Sequence, residues 1–254
     1  MIEALKNYKL GEIKDKEDLL TSTIFGLLRY DTTNTILKLF IEKAKSQEKK
    51  YLSLGTFDDI DYYFWPHYLD KSHNRKEPDL VLIFRNRNNS NKDVLLLIEA
   101  KNWSGAHDGQ LPNYYESLFD LSKYEENEIS KFDGIVKGMI FLTRFTFEDD
   151  IKNTLITLKN SYNSSVPLFG LYWTDLINIC KKNENSTLTQ DIIDFLNCFS
   201  FKSFDGWNSL KSKHHFKKYL QSSDLFYQIS FFDLYIKQNL ANILNIQEGV
   251  VFYE

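Results

Sequence analysis

Two stretches decide the fold: residues 77–84, EPDLVLIF, and residues 94–101, VLLLIEAK. Each contains an uninterrupted apolar block, Leu80 to Phe84 and Val94 to Ile98, of the length of a strand buried on both faces. Between them, Arg85 to Lys92 is a tract of Arg, Asn, Ser and Lys that can neither pack nor continue a strand. The pattern is an antiparallel hairpin with a long polar tip. Pairing Phe84 with Leu95 places Asp79 opposite Ala100, which gathers Asp79, Glu99 and Lys101 at one sheet edge. Strand side chains alternate between faces, so Glu99 and Lys101 point to the same side.

Working outward, Leu19, Leu20, Ile24, Leu27 and Leu28 recur at helical spacing, and so do Ile36, Leu37, Leu39, Phe40 and Ile41; two amphipathic helices are expected over 18–28 and 33–45. A strand is expected over 57–65, ended by Pro66. After the hairpin, Pro112 suits the first turn of a helix opening near Gly109, with Tyr115, Leu118, Phe119 and Leu121 as its apolar face. Strands over 135–143 and 168–173 with a helix over 149–159 between them make a parallel crossover. Hairpin and crossover together predict an α/β fold, a mixed central sheet flanked by helices. Beyond residue 199 the aromatics Phe201, Phe204, Trp207, Phe216 and Tyr219 interleave with Lys202, Lys211, Lys213, Lys217 and Lys218. The expected organisation is a core over 1–182 and a mostly helical C-terminal extension over 183–254.

The 254 residues are 43% hydrophobic and 15% aromatic, which excludes an intrinsically disordered chain. There is no run of about 18 apolar residues, so no membrane span is implied. The first 16 residues carry Lys6, Lys9, Glu12, Lys14 and Asp15 with no apolar centre, and a cytosolic protein is expected. Two cysteines, Cys180 and Cys198, are too few for a disulfide framework and lack the spacing of a zinc site. A net charge of -4 argues against a uniformly basic coat but allows a single basic groove. Neither a GxxxxGK phosphate loop, a GxGxxG turn, a GxSxG elbow nor an HExxH helix occurs.

The chemistry lies in Asp79, Glu99 and Lys101. Two carboxylates crowded together repel unless they are protonated or bridged by a cation. Hard oxygen donors in that number suit Mg²⁺, which takes one or two carboxylates and keeps several waters. An ammonium beside them can hold a nucleophilic water or stabilise developing negative charge. Phosphodiester hydrolysis is the reaction this set suits. Glu17 falls on the apolar stripe of the first helix with Leu20, Ile24 and Leu27, so it is expected to face the sheet.

Pro78-Asp79 followed by Glu99-x-Lys101 resembles the signature of the PD-(D/E)XK nuclease superfamily, the restriction-endonuclease-like fold. The resemblance implies that Asp79 and Glu99 bind Mg²⁺, with Mn²⁺ as a substitute, that the Ala100 carbonyl completes the ligation, and that Lys101 activates water. Gln110-Leu111-Pro112-Asn113-Tyr114 is similar to the QxxxY motif of the exonuclease-like branch, which implies a catalytic supporting role for Gln110 and a DNA contact for Tyr114. A Glu on the first helix adds a metal ligand in many members, and Glu17 is the matching candidate here. The motifs span residues 17–114; the order of elements extends the likeness to residue 173, and the C-terminal part matches nothing.

Arg75 and Lys76, just before Asp79, are the nearest candidates for phosphate contact. The expected function is therefore Mg²⁺-dependent cleavage of DNA, ahead of RNA, in defence against foreign DNA or in repair. The alternative is a non-cleaving module of the same fold that binds nucleic acid or a partner protein, or a nuclease subunit active only in a complex. A homodimer or partner subunit fits the need to cut two strands; a membrane partner is not expected.

Overall fold

The computed structural model describes residues 17–70, 72–102, 110–144, 148–159, 167–183, 186–199 and 201. The chain runs through α1 (Glu17–Leu28), α2 (Thr35–Ile41), β1 (Lys45–Ser46), β2 (Asp59–Phe64), β3 (Tyr68–Leu69), β4 (Arg75–Lys76), β5 (Leu80–Arg85) and β6 (Val94–Ala100). It continues through α3 (Gln110–Glu116), α4 (Asn127–Ser130), β7 (Ile135–Thr143), α5 (Glu148–Lys159), β8 (Leu168–Tyr172), α6 (Trp173–Lys182) and α7 (Thr187–Cys198).

Six strands form one sheet in the order β1-β8-β7-β6-β5-β2, while β3 and β4 pair as a separate ribbon. β6, β7 and β8 run parallel; β5, β2 and β1 each join antiparallel to a neighbour. The expected mixed α/β sheet flanked by helices is thus observed. Its two faces carry separate apolar clusters, as alternation along a doubly buried strand requires. Leu80, Leu82, Phe84, Leu96 and Ile98 pack against α1, α2, α6 and α7. Val81, Ile83, Leu95, Leu97 and Phe141 pack on the other side against α3, α4 and α5. The connections from β6 to β7 and from β7 to β8 therefore both lie on the second face, as a repeated crossover of one hand demands.

The hairpin register corrects the sequence expectation by one residue. Phe84 pairs with Val94 and Leu80 with Ile98, so the next step of the ladder sets Asp79 beside Glu99 rather than Ala100. A one-residue slip turns every side chain to the opposite face. Blocks that are apolar at every position carry no alternation to reveal it. The polar tip closes on itself: Asp93, 5% exposed, accepts from Asn86 N–H at 2.7 Å and faces the Arg85 guanidinium at 3.0 Å. Arg85 also reaches Asp61 on β2 at 2.6 Å, which ties three strands together.

Gly138 lies just past a register shift between β6 and β7, with φ 144°. A Cβ there would stand 2.2 Å from the Pro167 carbonyl oxygen, so only glycine fits.

The described residues all fall within residues 1–203, in one unit; residues 204–254 lie outside the described residues. Ile192, Phe195 and Leu196 of α7 join the same apolar cluster as α1. The basic and aromatic tract from Lys202 to Lys218 lies outside the described residues. No described helix is long and apolar enough to cross a membrane. Both cysteines are free thiols, and burial pushes the Cys180 thiol up to about 12.

Candidate active site

The site forms where β5 begins and β6 ends, at the carboxyl end of a central strand, the usual location of ligand chemistry in open α/β sheets. Asp79, Glu99 and Lys101 are all buried, at 7%, 1% and 6% exposure. Apolar runs on either side of them drive the two strands into the core and carry these charged ends inward with them.

Backbone contacts hold each residue in place. Asp79 Oδ2 accepts the Ala100 N–H at 2.7 Å, locking the start of β5 to the end of β6. The Asp79 carbonyl accepts from Trp65 N–H at 3.1 Å. Lys101 N–H donates to the Leu142 carbonyl at 2.7 Å, and the Lys101 carbonyl accepts the indole N–H of Trp173 at 3.3 Å. Trp173 is fully buried and packs its ring against Phe25, Phe40 and Phe201. The hydrophobic core thereby positions the strand end.

Lys101 Nζ lies 3.0 Å from Glu99 Oε1 and 2.6 Å from Glu17 Oε1. The other Glu17 oxygen accepts the Asn102 N–H at 3.0 Å. Glu17 thus faces the sheet as its helical position required, and its carboxylate engages Lys101 and the strand end.

Electrostatics follow from burial. Loss of water raises the Asp79 carboxyl above the ordinary range, against the pull of the Ala100 N–H and Lys101. Glu99 is raised by burial and then by the neighbouring Asp79 charge, with Lys101 opposing. Burial works against the Lys101 ammonium, but Glu99 and Glu17 outweigh it and hold the group charged above the usual lysine range. Two acids with raised affinity for protons beside one firmly charged amine form a site short of positive charge.

The remaining expected residues are placed as follows. Gln110 opens α3, which puts Pro112 in the first turn as required; the Gln110 side chain lies outside the described residues. Tyr114, on the same helix, is half-buried against the apolar cluster that holds Leu97 and Tyr115. Arg75 Nε pairs with Glu77 at 3.0 Å and its guanidinium contacts the His67 ring. Lys76 Nζ lies 4.0 Å from Asp70. Both basic residues therefore face carboxylates.

Sequence reasoning missed Trp65, Asn102 and Trp173. Asn102 directly follows Lys101, is 1% exposed, and has no hydrogen-bond partner for its carboxamide among the described residues. A polar residue next to the Glu99-Ala100-Lys101 triplet was the available signal. Trp173 carried none, since its link to Lys101 spans 72 residues.

Among the described residues, no group of three or more His, Cys, Asp or Glu side chains forms a ready metal cage. The side chains that could hold a cation are the carboxylate pair Asp79 and Glu99, the number Mg²⁺ takes when water completes its shell. Fold and site together define an α/β protein with paired buried carboxylates and a lysine at a central strand end.

The chain is 32% identical over 189 residues to an uncharacterized protein of Pasteurella multocida (strain Pm70), across 70% of this chain and 64% of the relative. It thus spans less than two thirds of that relative's length. No family model matches. No solved structure matches.

Proposed function

We propose that this chain is a Mg²⁺-dependent nuclease of the PD-(D/E)XK type that hydrolyses phosphodiester bonds, with DNA as substrate ahead of RNA. The observation that carries this reading is the burial of Asp79, just before β5, and Glu99, near the end of the adjacent β6, with Lys101 Nζ 3.0 Å from Glu99. A scaffold has no folding reason to crowd two carboxylates in a dry strand end; perturbed acids beside a fixed cation are the arrangement of a working site.

Asp79 and Glu99 would hold the ion, with the Ala100 carbonyl as the third protein oxygen. A bound Mg²⁺ supplies a more acidic water and a polarised phosphoryl oxygen. Lys101 holds an incoming water by hydrogen bond and offsets charge developing on the phosphoryl oxygens. Glu17 is a positioning residue, since it acts on Lys101. The setting we attach to this activity is the cytoplasm, in defence against foreign DNA or in repair.

The test is calorimetric titration with Mg²⁺ and Mn²⁺, alongside cleavage assays on linear, circular and single-stranded DNA. Glu99→Ala is expected to lose both ion binding and cutting. Lys101→Ala is expected to bind the ion within a few-fold of wild type while its cutting falls by about 100-fold or more. Ion binding with DNA retention but no cutting in the wild type would favour the non-cleaving module. Absence of ion binding in the wild type would overturn the site assignment.

A further inference from the structure

We infer that the groove between α6 and the chain joining α2 to β1 binds backbone phosphates of the nucleic acid, so that the strand being cut is also held at a distance from the reacting phosphate. The inference rests on the nuclease reading above.

The groove has a volume of about 400 Å³ and is lined by Lys43, Asp175, Asn178, Ile179, Lys181 and Lys182. Asn178, Ile179 and Lys182 follow Asp175 at helical spacing, so one stripe of α6 forms a wall about 10 Å long, and Lys43, just before β1, faces it. Lys43, Asn178 and Lys182 are exposed. Lys45 belongs to the same corner, with its Nζ 5.0 Å from the centre of the exposed Tyr51 ring. Among the described residues neither Lys43 nor Lys182 forms a salt bridge, whereas Arg75 and Lys76, the basic residues nearest Asp79 in sequence, both face carboxylates. The carboxylate in the lining is Asp175. Burial raises it above the ordinary range, opposed by a Tyr172 backbone hydrogen bond and by the charges of Lys45 and Lys43. The lysines outnumber it, so the groove carries an excess of positive charge.

Position links the groove to the site. Helix α6 opens at the strand end that carries the site, since its first residue, Trp173, donates to the Lys101 carbonyl at 3.3 Å. In the sheet, β8 lies two places from β6 and β1 three, so the groove stands about 10–15 Å across the sheet from Glu99. The form of the groove selects the ligand. A compact anion is gripped by donors that converge on it, such as an Arg fork or a nest of backbone N–H groups. Here flexible ammonium groups are spread along an open helix face, which suits a row of like charges held by the field. A duplex strand presents a phosphate about every 3.4 Å along its axis, so about three of them match the length of the stripe.

The test uses the full chain with Ca²⁺ in place of Mg²⁺, so that binding is read without cutting. Fluorescence anisotropy follows a labelled DNA duplex of about 30 base pairs across a series of KCl concentrations. Lys43→Ala combined with Lys182→Ala removes two exposed charges; it is expected to lower the slope of log affinity against log salt by about two and to weaken binding about ten-fold at moderate salt. Lys43→Arg combined with Lys182→Arg is expected to match wild type, because charge holds the strand. Calorimetric Mn²⁺ affinity is expected to be the same in all three proteins. An unchanged salt slope in the alanine variant would overturn the groove assignment and leave the nuclease reading in place. A loss that the arginine variant shares, or one accompanied by lost Mn²⁺ affinity, would be structural and would overturn it too. Displacement of the duplex by micromolar tripolyphosphate would assign the groove to a compact phosphate ligand, again overturning the proposal. A wild type that binds no DNA at any salt concentration would overturn the nuclease reading along with it.

Discussion

Lys101 donates through Nζ to Glu17 Oε1 at 2.6 Å, across 84 residues of chain. The same ammonium stands 3.0 Å from Glu99, so the first described residue of α1 and the end of β6 share one charge. Helix α1 is held over the sheet by Leu20, Ile24, Phe25 and Leu28, all fully buried, and its apolar face delivers Glu17 to the strand end.

Glu17→Gln keeps an acceptor for the Asn102 N–H and removes the charge facing Lys101. We expect folding stability to fall by about 1–3 kcal/mol, because a buried cation loses one of two anionic partners. Urea denaturation measures this. Mn²⁺ affinity is expected to stay within a few-fold, and a loss as large as that of Glu99→Ala would make Glu17 a direct ligand.

Stability of the ion-free protein is expected to fall as pH rises from about 4 toward neutral and beyond. Asp79 and Glu99 have folded-state pKa values raised by burial and, for Glu99, by the Asp79 charge. The folded state therefore binds more protons than the unfolded chain, and the stabilisation is complete below the ordinary carboxylate range and lost through the raised values. Lys101 is also raised, so its contribution holds throughout this window and is lost only at alkaline pH. Mn²⁺ replaces the missing protons, so it should raise Tm more at the upper end of the window. Thermal melts with and without Mn²⁺ across that range decide it; Glu99→Gln is expected to keep the shallower fall that Asp79 supplies, and an unchanged slope would remove Glu99 from the effect.

Gly138→Ala should destabilise the fold by about 2 kcal/mol or more. The new Cβ would meet the Pro167 carbonyl, which is itself held by the Met139 N–H at 3.2 Å, so neither side can yield cheaply. Chemical denaturation reads the change. An unchanged midpoint would mean that the strand shifts to accommodate the methyl group.

The elements were legible where a period or a block of one kind ran long enough to exceed its noise. Helix α1 matches its apolar spacing, and β5 to β8 match blocks of β-branched and aliphatic residues. The hairpin register was not legible, because Leu80 to Phe84 and Val94 to Ile98 read the same after a one-residue slip. Trp65 defied the extended backbone expected before Pro66. The buried ends of the hairpin were visible as Asp79, Glu99 and Lys101, since charged residues closing apolar runs stand out against their surroundings. Asn102 and Trp173 were hidden, as their contacts come from elements distant in the chain.

The sequence by itself determined the mixed sheet and the neighbourhood of its three charged residues, because strand-length burial and hairpin adjacency are local properties of residues 77–101. Only the tertiary structure decided that Asp79 lies beside Glu99, that Glu17 holds Lys101, and that Trp173 anchors the strand end. Each of these depends on register or on packing between distant segments, and the physical reason is the same for all: close-packed cores select among alternatives that local patterning leaves equal in energy.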